Sequence, residues 1–183
     1  MTPDSEHAFD PPFRIGHGYD LHRLEPISPA GSGKPLVIGG VEVPQVAEPP
    51  VGPVAHSDGD ALMHALTDAI LGAAALPDIG QLFPNDDPSN QDRSSTDFLA
   101  EAIRQMRLGG WQLANIDLTV LLQSPKLGPH KIAIRERLAQ LVDLPTDRVN
   151  LKGKTGEHVG PVGEGRAIEA HAVVLLCRNS QRD

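Results

Sequence analysis

Three side chains in the first part of the chain have the types and spacing that suit a metal ion. Asp20 and His22 lie two residues apart where segment 13–21, a predicted β-strand, ends, and strand geometry at this point directs both side chains to one face. His64 lies in a later segment whose apolar residues recur at spacings of three and four, which predicts a helix. Two ligands on a strand and one on a helix would provide nitrogen and oxygen donors and leave a fourth position open. That arrangement is typical of a catalytic zinc site.

Two further groups of residues have the chemistry of phosphate binding. His56 and Ser57 precede the predicted helix, whose free amide groups and dipole favour an anion, although Ser57 could serve only as the helix cap. Lys154 and Thr155 follow a predicted strand and offer a cation and a hydroxyl to phosphate oxygens. Glu157 adds a carboxylate suited to a hard divalent ion that bridges phosphates. Taken alone, this second group would equally fit a solvated charged turn.

Acidic residues occur in a loop and around the metal-binding helix. Loop 78–87 carries acids and an amide around Phe83 and can accept hydrogen bonds from substrate hydroxyls, although this composition also fits an ordinary acidic surface loop. Asp60 and Asp68 lie one turn before and one turn after His64 on the same helix face. We therefore expect one of these carboxylates to orient the imidazole.

Hydrophobic periodicity and turn residues predict the elements that position these side chains. The helix that carries His64 is predicted over 58–75, with Ser57 or Asp58 as its cap. The other predicted elements are a Gly-Gly hairpin at 36–43, helices at 95–108 and 129–142, and strands at 116–122, 148–153 and 166–177. Helices on one face of a mixed sheet predict a single-domain α+β fold.

Composition excludes several classes of partner. The chain has 183 residues, a formal net charge of −8 and scattered basic residues, so nucleic acid is not an expected partner. Its one cysteine excludes an intrachain disulfide and predicts a reducing, cytoplasmic location. No apolar stretch reaches about 18 residues, so no membrane association is expected. Residues 13–178 are predicted to form the domain, with a disordered tail at 1–12 and a short tail at 179–183.

Together these motifs resemble the 2-C-methyl-D-erythritol 2,4-cyclodiphosphate synthases, zinc-dependent enzymes of the non-mevalonate isoprenoid pathway. The matching runs lie in order between residues 13 and 177; they are 16–22, 56–60 with 64–68, 78–80 with 82–84, Gln123 with Pro125 and Lys126, and 163–165. The resemblance implies a homotrimer of α+β subunits with active sites between neighbouring subunits.

The resemblance also implies a reaction and a set of site residues. The 2-phosphate of a CDP-linked methylerythritol substrate would attack the β-phosphate, close a cyclic diphosphate and release CMP. Zinc would bind Asp20, His22 and His64, and a second divalent cation, Mg²⁺ or Mn²⁺, would bind Glu157. His56 and Thr155 would contact the developing charge. The implied substrate-binding residues for phosphates, hydroxyls and cytosine are Asp20, His22, His56, Ser57, Asp78, Ile79, Gly80, Phe83, Asn85, Asp87, Leu122, Pro125, Lys126, Leu127, Gly128, Lys154 and Thr155.

The chain departs from the family pattern in several places. Asn85 stands where the family usually has Asp, and Lys154 and Gly156 replace two residues of a Thr-Thr-Thr-Glu run. Segment 160–165 is two residues shorter than usual, and Arg166 follows the Gly-Glu-Gly run that an Arg usually precedes. Two alternative functions fit the same fold: a non-catalytic metal-binding trimer and a zinc-dependent diphosphate hydrolase. Only the synthase would release CMP together with a cyclic product.

Overall fold

The computed structural model of the protein describes residues 11–45, 49–84 and 87–178. Within them the strands are β1 (Phe13–Pro26), β2 (Val37–Ile38), β3 (Val41–Glu42), β4 (Val51–Pro53), β5 (Trp111–Leu121), β6 (Val149–Lys154) and β7 (Ala167–Arg178). The helices are α1 (Ala61–Ala73), α2 (Ile79–Leu82), α3 (Ser95–Leu108), α4 (Lys131–Val142) and α5 (Gly160–Gly163). The predicted tails, apart from residues 11 and 12, lie outside these ranges, so the domain boundaries stay a prediction.

One five-stranded sheet organises the domain. Its strand order is β4-β1-β7-β5-β6, and β2 pairs with β3 in the predicted hairpin. β7 runs antiparallel to both β1 and β5, whereas β5 and β6 are parallel and are joined through α4. The three long helices share one apolar core with the inner face of the sheet. The predicted mixed sheet and α+β class are therefore confirmed.

Helix α1 lies directly on strand β1 because the strand has glycine on its inner face. A Cβ atom at Gly16 would lie 1.9 Å from the carbonyl oxygen of Ala69, and one at Gly18 would lie 1.9 Å from the carbonyl oxygen of Ala65. Both distances are far shorter than any real contact, so only glycine permits this approach of helix and strand. The approach brings His64 of α1 over the inner face of β1.

Asp60 fixes the start of α1 and ties it to the β2–β3 hairpin. Its buried carboxylate accepts hydrogen bonds from the backbone amides of Met63 at 3.0 Å, Gly39 at 2.9 Å and Gly40 at 2.6 Å. Burial raises the pKa of Asp60 to about 6, although these hydrogen bonds oppose the shift. The predicted start of the helix at residue 58 was wrong, because the cap is Asp60 and not Ser57 or Asp58.

Short elements occur inside two segments that were predicted to be loops. β4 lies between the predicted hairpin at 36–43 and His56, where no helix or strand is predicted, and α2 lies within predicted loop 78–87. Three or four residues are too few for a hydrophobic period to be recognised. None of the helices in the described ranges is long and apolar enough to cross a membrane.

The outer face of the sheet is open. Side chains on alternate positions of β1 point away from the helices, and the apolar ones, with Val173 of β7, are between 41% and 69% exposed: Phe13, Ile15, Tyr19, Leu21 and Val173. At the far end of the sheet, the buried indole of Trp111 lies between the guanidinium groups of Arg14 at 4.4 Å and Arg178 at 4.1 Å.

Candidate metal centre and active site

Asp20, His22 and His64 form one cluster between β1 and α1. Oδ2 of Asp20 lies 3.1 Å from Nε2 of His22 and 3.1 Å from Nδ1 of His64. One ligand atom from each of the three side chains lies within 4.8 Å of the others. The alternation along β1 and the close packing of α1 therefore bring together the three residues that were predicted to share a metal ion.

The charges in this cluster depend strongly on each other. Burial raises the pKa of Asp20, but the adjacent imidazoles of His22 and His64 outweigh this and hold it well below its usual range. Burial lowers the pKa of His64, yet the hydrogen bond and charge of Asp20 more than compensate, so the net shift is upward. A metal ion at this position would replace the proton that His64 shares with Asp20.

Two imidazole nitrogens in the cavity are ready to accept a ligand. Nε2 of His22 and Nε2 of His56 are buried. Nε2 of His56 finds no hydrogen-bond partner among the described residues, whereas Nε2 of His22 lies 3.1 Å from Oδ2 of Asp20. A buried polar atom without a partner is costly unless a ligand completes it. Together with the carboxylate of Asp20, the nitrogen of His22 forms a nitrogen-and-oxygen donor set that fits zinc.

The cluster opens into a cavity of about 380 Å³. Eight residues predicted to act in the site line this cavity: Asp20, His22, His56, Ser57, His64, Ile79, Gly80 and Phe83. Phe98 and Asn90 line it as well and were not predicted. Phe98 packs against Phe83, with ring centroids 4.6 Å apart. On the sequence, Phe98 was indistinguishable from any other apolar residue of helix 95–108.

Ser95 and Asp58 orient the ring of His64. Oγ of Ser95 donates a short hydrogen bond to Asp58 and lies 2.9 Å from Nε2 of His64. Because the hydroxyl proton is directed at Asp58, Oγ must accept from the imidazole N–H. This holds a proton at Nε2 and leaves Nδ1 to face Asp20 and a metal ion.

The prediction that Asp60 or Asp68 orients His64 was wrong. Asp60 caps α1, and Oδ1 of Asp68 accepts a hydrogen bond of 2.8 Å from the backbone amide of Ile79 at the start of α2. Sequence spacing identifies neighbours on one helix, whereas the actual partner, Ser95, comes from a different helix.

Replacing Ser95 with alanine is expected to weaken zinc binding by about 10- to 100-fold, the usual effect of losing the partner of a metal-bound histidine. Competition with a chromophoric chelator measures the affinity. Ser94→Ala is the matched control, because Ser94 caps α3 from an exposed position without touching His64. Equal zinc affinity in the Ser95→Ala and wild-type proteins would show that the ring is oriented by other contacts.

Lys34 fixes the backbone beside His56 and was not predicted. Its ammonium group donates to the carbonyl oxygens of His56 at 3.1 Å and of Ser57, and it pairs with Asp92 at 2.7 Å. Ser57 in turn lies 3.2 Å from Nε2 of His64 through its hydroxyl. Loop lysines are usually solvated, so the sequence contained no signal for this role.

The remaining predicted site residues lie elsewhere in the fold. Leu122 and Leu127 are buried after the end of β5, and the backbone amide of Leu122 donates to the carbonyl of Lys154 at 2.9 Å. Thr155 donates to Glu157 at 2.6 Å. We call these residues, together with Pro125, Lys126, Gly128 and Lys154, the second group. None of them lines the cavity, and β7 separates β5 from β1, the strand that carries Asp20 and His22.

The predicted hydroxyl-binding loop is only partly described. Asp78 caps α2 by accepting a hydrogen bond of 2.8 Å from the amide of Gln81. Asp87 is exposed, and Asn85 lies outside the described residues. Among the polar side chains predicted for this loop, none lines the cavity within the part that is described.

Comparison with known proteins identifies close relatives. The model of the YgbB family matches residues 13–177. The 2-C-methyl-D-erythritol 2,4-cyclodiphosphate synthase of Gloeobacter violaceus is 49% identical over 163 residues, which cover 89% of this chain and 94% of the relative. The chloroplastic synthase of Catharanthus roseus is 52% identical over 166 residues, 91% of this chain, which spans 66% of that relative's length.

The fold also matches solved structures. A CDP complex of IspF from Plasmodium falciparum superposes with a TM-score of 0.77 at 33% identity and covers 92% of this chain and 97% of that chain. The likeness therefore extends over nearly the whole described fold.

Proposed function

The chain belongs to the YgbB family, and from that premise we propose that it is a 2-C-methyl-D-erythritol 2,4-cyclodiphosphate synthase. The substrate is the CDP-linked 2-phosphate of methylerythritol. An oxygen of the 2-phosphate attacks the β-phosphorus, the bond from that phosphorus to the CMP oxygen breaks, and CMP leaves as the cyclic diphosphate closes. The enzyme is a lyase of the non-mevalonate isoprenoid pathway, and the homologues support this function over both alternatives.

The observation that carries the proposal is the cluster of Asp20, His22 and His64 at the base of the cavity. Zinc held there would neutralise charge on a phosphate and orient it for the displacement. The unpartnered Nε2 of His56 points to the same cavity and supplies a hydrogen-bond contact for a phosphoryl oxygen. Lys34 holds the backbone at His56 in place, so the imidazole is already positioned when substrate binds.

Substrate positioning would use the two aromatic rings and the start of α2. Phe83 and Phe98 form an apolar wall beside the metal ligands, with the ring centroid of Phe98 5.9 Å from that of His64, and Ile79 and Gly80 line the same cavity. A wall of this kind excludes water from the phosphates, which favours attack by the internal phosphate over hydrolysis. Asp78, Asn85 and Asp87 are assigned to the methylerythritol hydroxyls.

The second group of residues acts on the substrate bound to a neighbouring subunit of a homotrimer. Lys126 and residues 122–128 hold the cytosine, while Lys154, Thr155 and Glu157 hold the diphosphate with a second divalent cation. Two features support this arrangement. Within one chain the second group does not line the cavity, and the outer sheet face exposes contiguous apolar side chains that a second copy would cover.

Sedimentation is expected to give the mass of three chains. Mixing equal amounts of His22→Ala and Lys126→Ala subunits should restore about a quarter of wild-type activity. A site is intact only when a Lys126→Ala subunit provides its zinc ligands and a His22→Ala subunit provides its cytosine-binding residues, and random assembly around a closed ring gives that pairing at about one site in four. Each variant alone serves as the control. An active monomer, or mixtures no more active than their components, would contradict shared sites.

Phosphorus NMR of the products tests the reaction itself. Incubation with the CDP-linked substrate and zinc plus Mg²⁺ is expected to give CMP and a cyclic diphosphate in equal amounts. Release of CMP without the cyclic product would identify a hydrolase, and no turnover would favour the non-catalytic trimer.

We place the enzyme in a reducing compartment, the cytoplasm, on the basis of its one cysteine. The plant relative is named as chloroplastic.

A further inference from the structure

The outer face of β1 carries a second pair of metal-binding side chains. Nε2 of His17 lies 3.4 Å from Nδ1 of His171 on the adjacent strand β7. His171 lies directly opposite Tyr19, and the rings of these two residues pack with their centroids 4.9 Å apart. Because side chains alternate along β1, His17 points away from the face that holds Asp20. The pair is therefore separate from the metal centre described above.

The separation of the two nitrogens fits a shared ion better than a direct hydrogen bond. Hydrogen bonds from N–H donors usually span about 2.7–3.2 Å. Two nitrogens that bind one tetrahedral zinc at about 2.0–2.1 Å each lie roughly 3.3–3.4 Å apart. The observed 3.4 Å between Nε2 of His17 and Nδ1 of His171 matches the spacing of two nitrogens that share a zinc ion. The neighbouring antiparallel strands β1 and β7 hold the rings at that spacing.

We propose that His17 and His171 chelate a divalent transition-metal ion on the outer face of the sheet. Imidazole ligands select zinc, copper or nickel and discriminate against Mg²⁺ and Ca²⁺. Glu169 lies two residues from His171 on the same face and adds negative charge near the site. Two protein ligands leave the other positions of the ion to water or to a neighbouring copy of the chain. The site does not depend on the catalytic assignment.

Zinc stoichiometry tests the site. Protein stripped with a chelator is dialysed against micromolar zinc, and the metal content is measured by mass spectrometry. Wild type is expected to bind two zinc ions per chain, and His17→Gln and His171→Gln one each. His130→Gln, at the start of α4, is the matched control and should bind two. The double variant Asp20→Ala/His64→Ala should keep one ion at the outer site.

Circular dichroism of each variant establishes that it is folded. Wild type with a single zinc ion, or folded His17→Gln and His171→Gln proteins that each keep two, would overturn the proposal. So would a folded Asp20→Ala/His64→Ala protein without zinc. These outcomes depend on zinc content and folding and not on cyclisation activity. The outer site can therefore be tested even if the proposed reaction is wrong.

Discussion

The Asp20→Ala protein is expected to lose its catalytic zinc and to form the cyclic diphosphate about 1,000-fold more slowly or worse. Asp20 is the one negatively charged ligand in the cluster, and its Oδ2 lies 3.1 Å from both imidazoles. Without it, two neutral nitrogens remain to bind the ion. Zinc content per chain and single-turnover rates with saturating substrate measure the two effects.

Glu157→Gln separates loss of zinc from loss of rate. Glu157 belongs to the second group and lies outside the cavity that holds Asp20. The variant is expected to keep its zinc and to react about 100-fold more slowly, since one stabiliser of the transition-state charge is removed. If Asp20→Ala keeps zinc at the wild-type affinity, the assignment of the ligands is wrong.

Gly18→Ala is expected to lower the free energy of unfolding by about 3 kcal/mol or more, at the upper end for overpacked sites. The new methyl group would meet the carbonyl oxygen of Ala65 at 1.9 Å and the amide nitrogen of Ala69 at 2.7 Å, and backbone atoms cannot rotate away. Helix α1 must therefore move off β1. His64 moves with the helix, so the variant should also bind zinc less tightly.

The matched control lies on the same helix. Gly72 is exposed in α1, and a Cβ atom there would meet no atom within 4 Å. Gly72→Ala should therefore raise stability by about 0.5–1 kcal/mol through helix propensity, without changing zinc affinity. Urea denaturation followed by circular dichroism compares the variants. A Gly18→Ala protein as stable as wild type would mean that α1 does not rest on the strand as described.

The long elements could be predicted because their hydrophobic periods are long. Helices 95–108 and 129–142 and strand 166–177 match α3, α4 and β7 to within two residues. Strand β1 was predicted to end at residue 21 but continues to Pro26, because pairing with β7 and β4 extends it through charged residues. The cap at Asp60 was missed because its partners, Gly39 and Gly40, are distant in sequence.

Local geometry made the metal ligands predictable, whereas the residues that hold those ligands in place depend on long-range contacts. Asp20 and His22 share a face through strand geometry alone, which any alternating pattern reveals. Ser95 and Lys34 act through contacts between elements that are far apart in the chain. Their residue types are common on surfaces, so only the packing of α3 and of the loop before β2 distinguishes them.

Trp111 gives the protein an intrinsic optical reporter. It is the only tryptophan of the chain, and strands β5, β1 and β7 enclose it between Arg14 and Arg178. On β7, Asp20 pairs with Ala170 and Trp111 pairs with Arg178, eight residues further along the strand. At about 3.3 Å per residue, this places the indole about 25 Å from the metal centre. Its fluorescence should therefore shift when the sheet comes apart and stay constant as zinc or nucleotide binds.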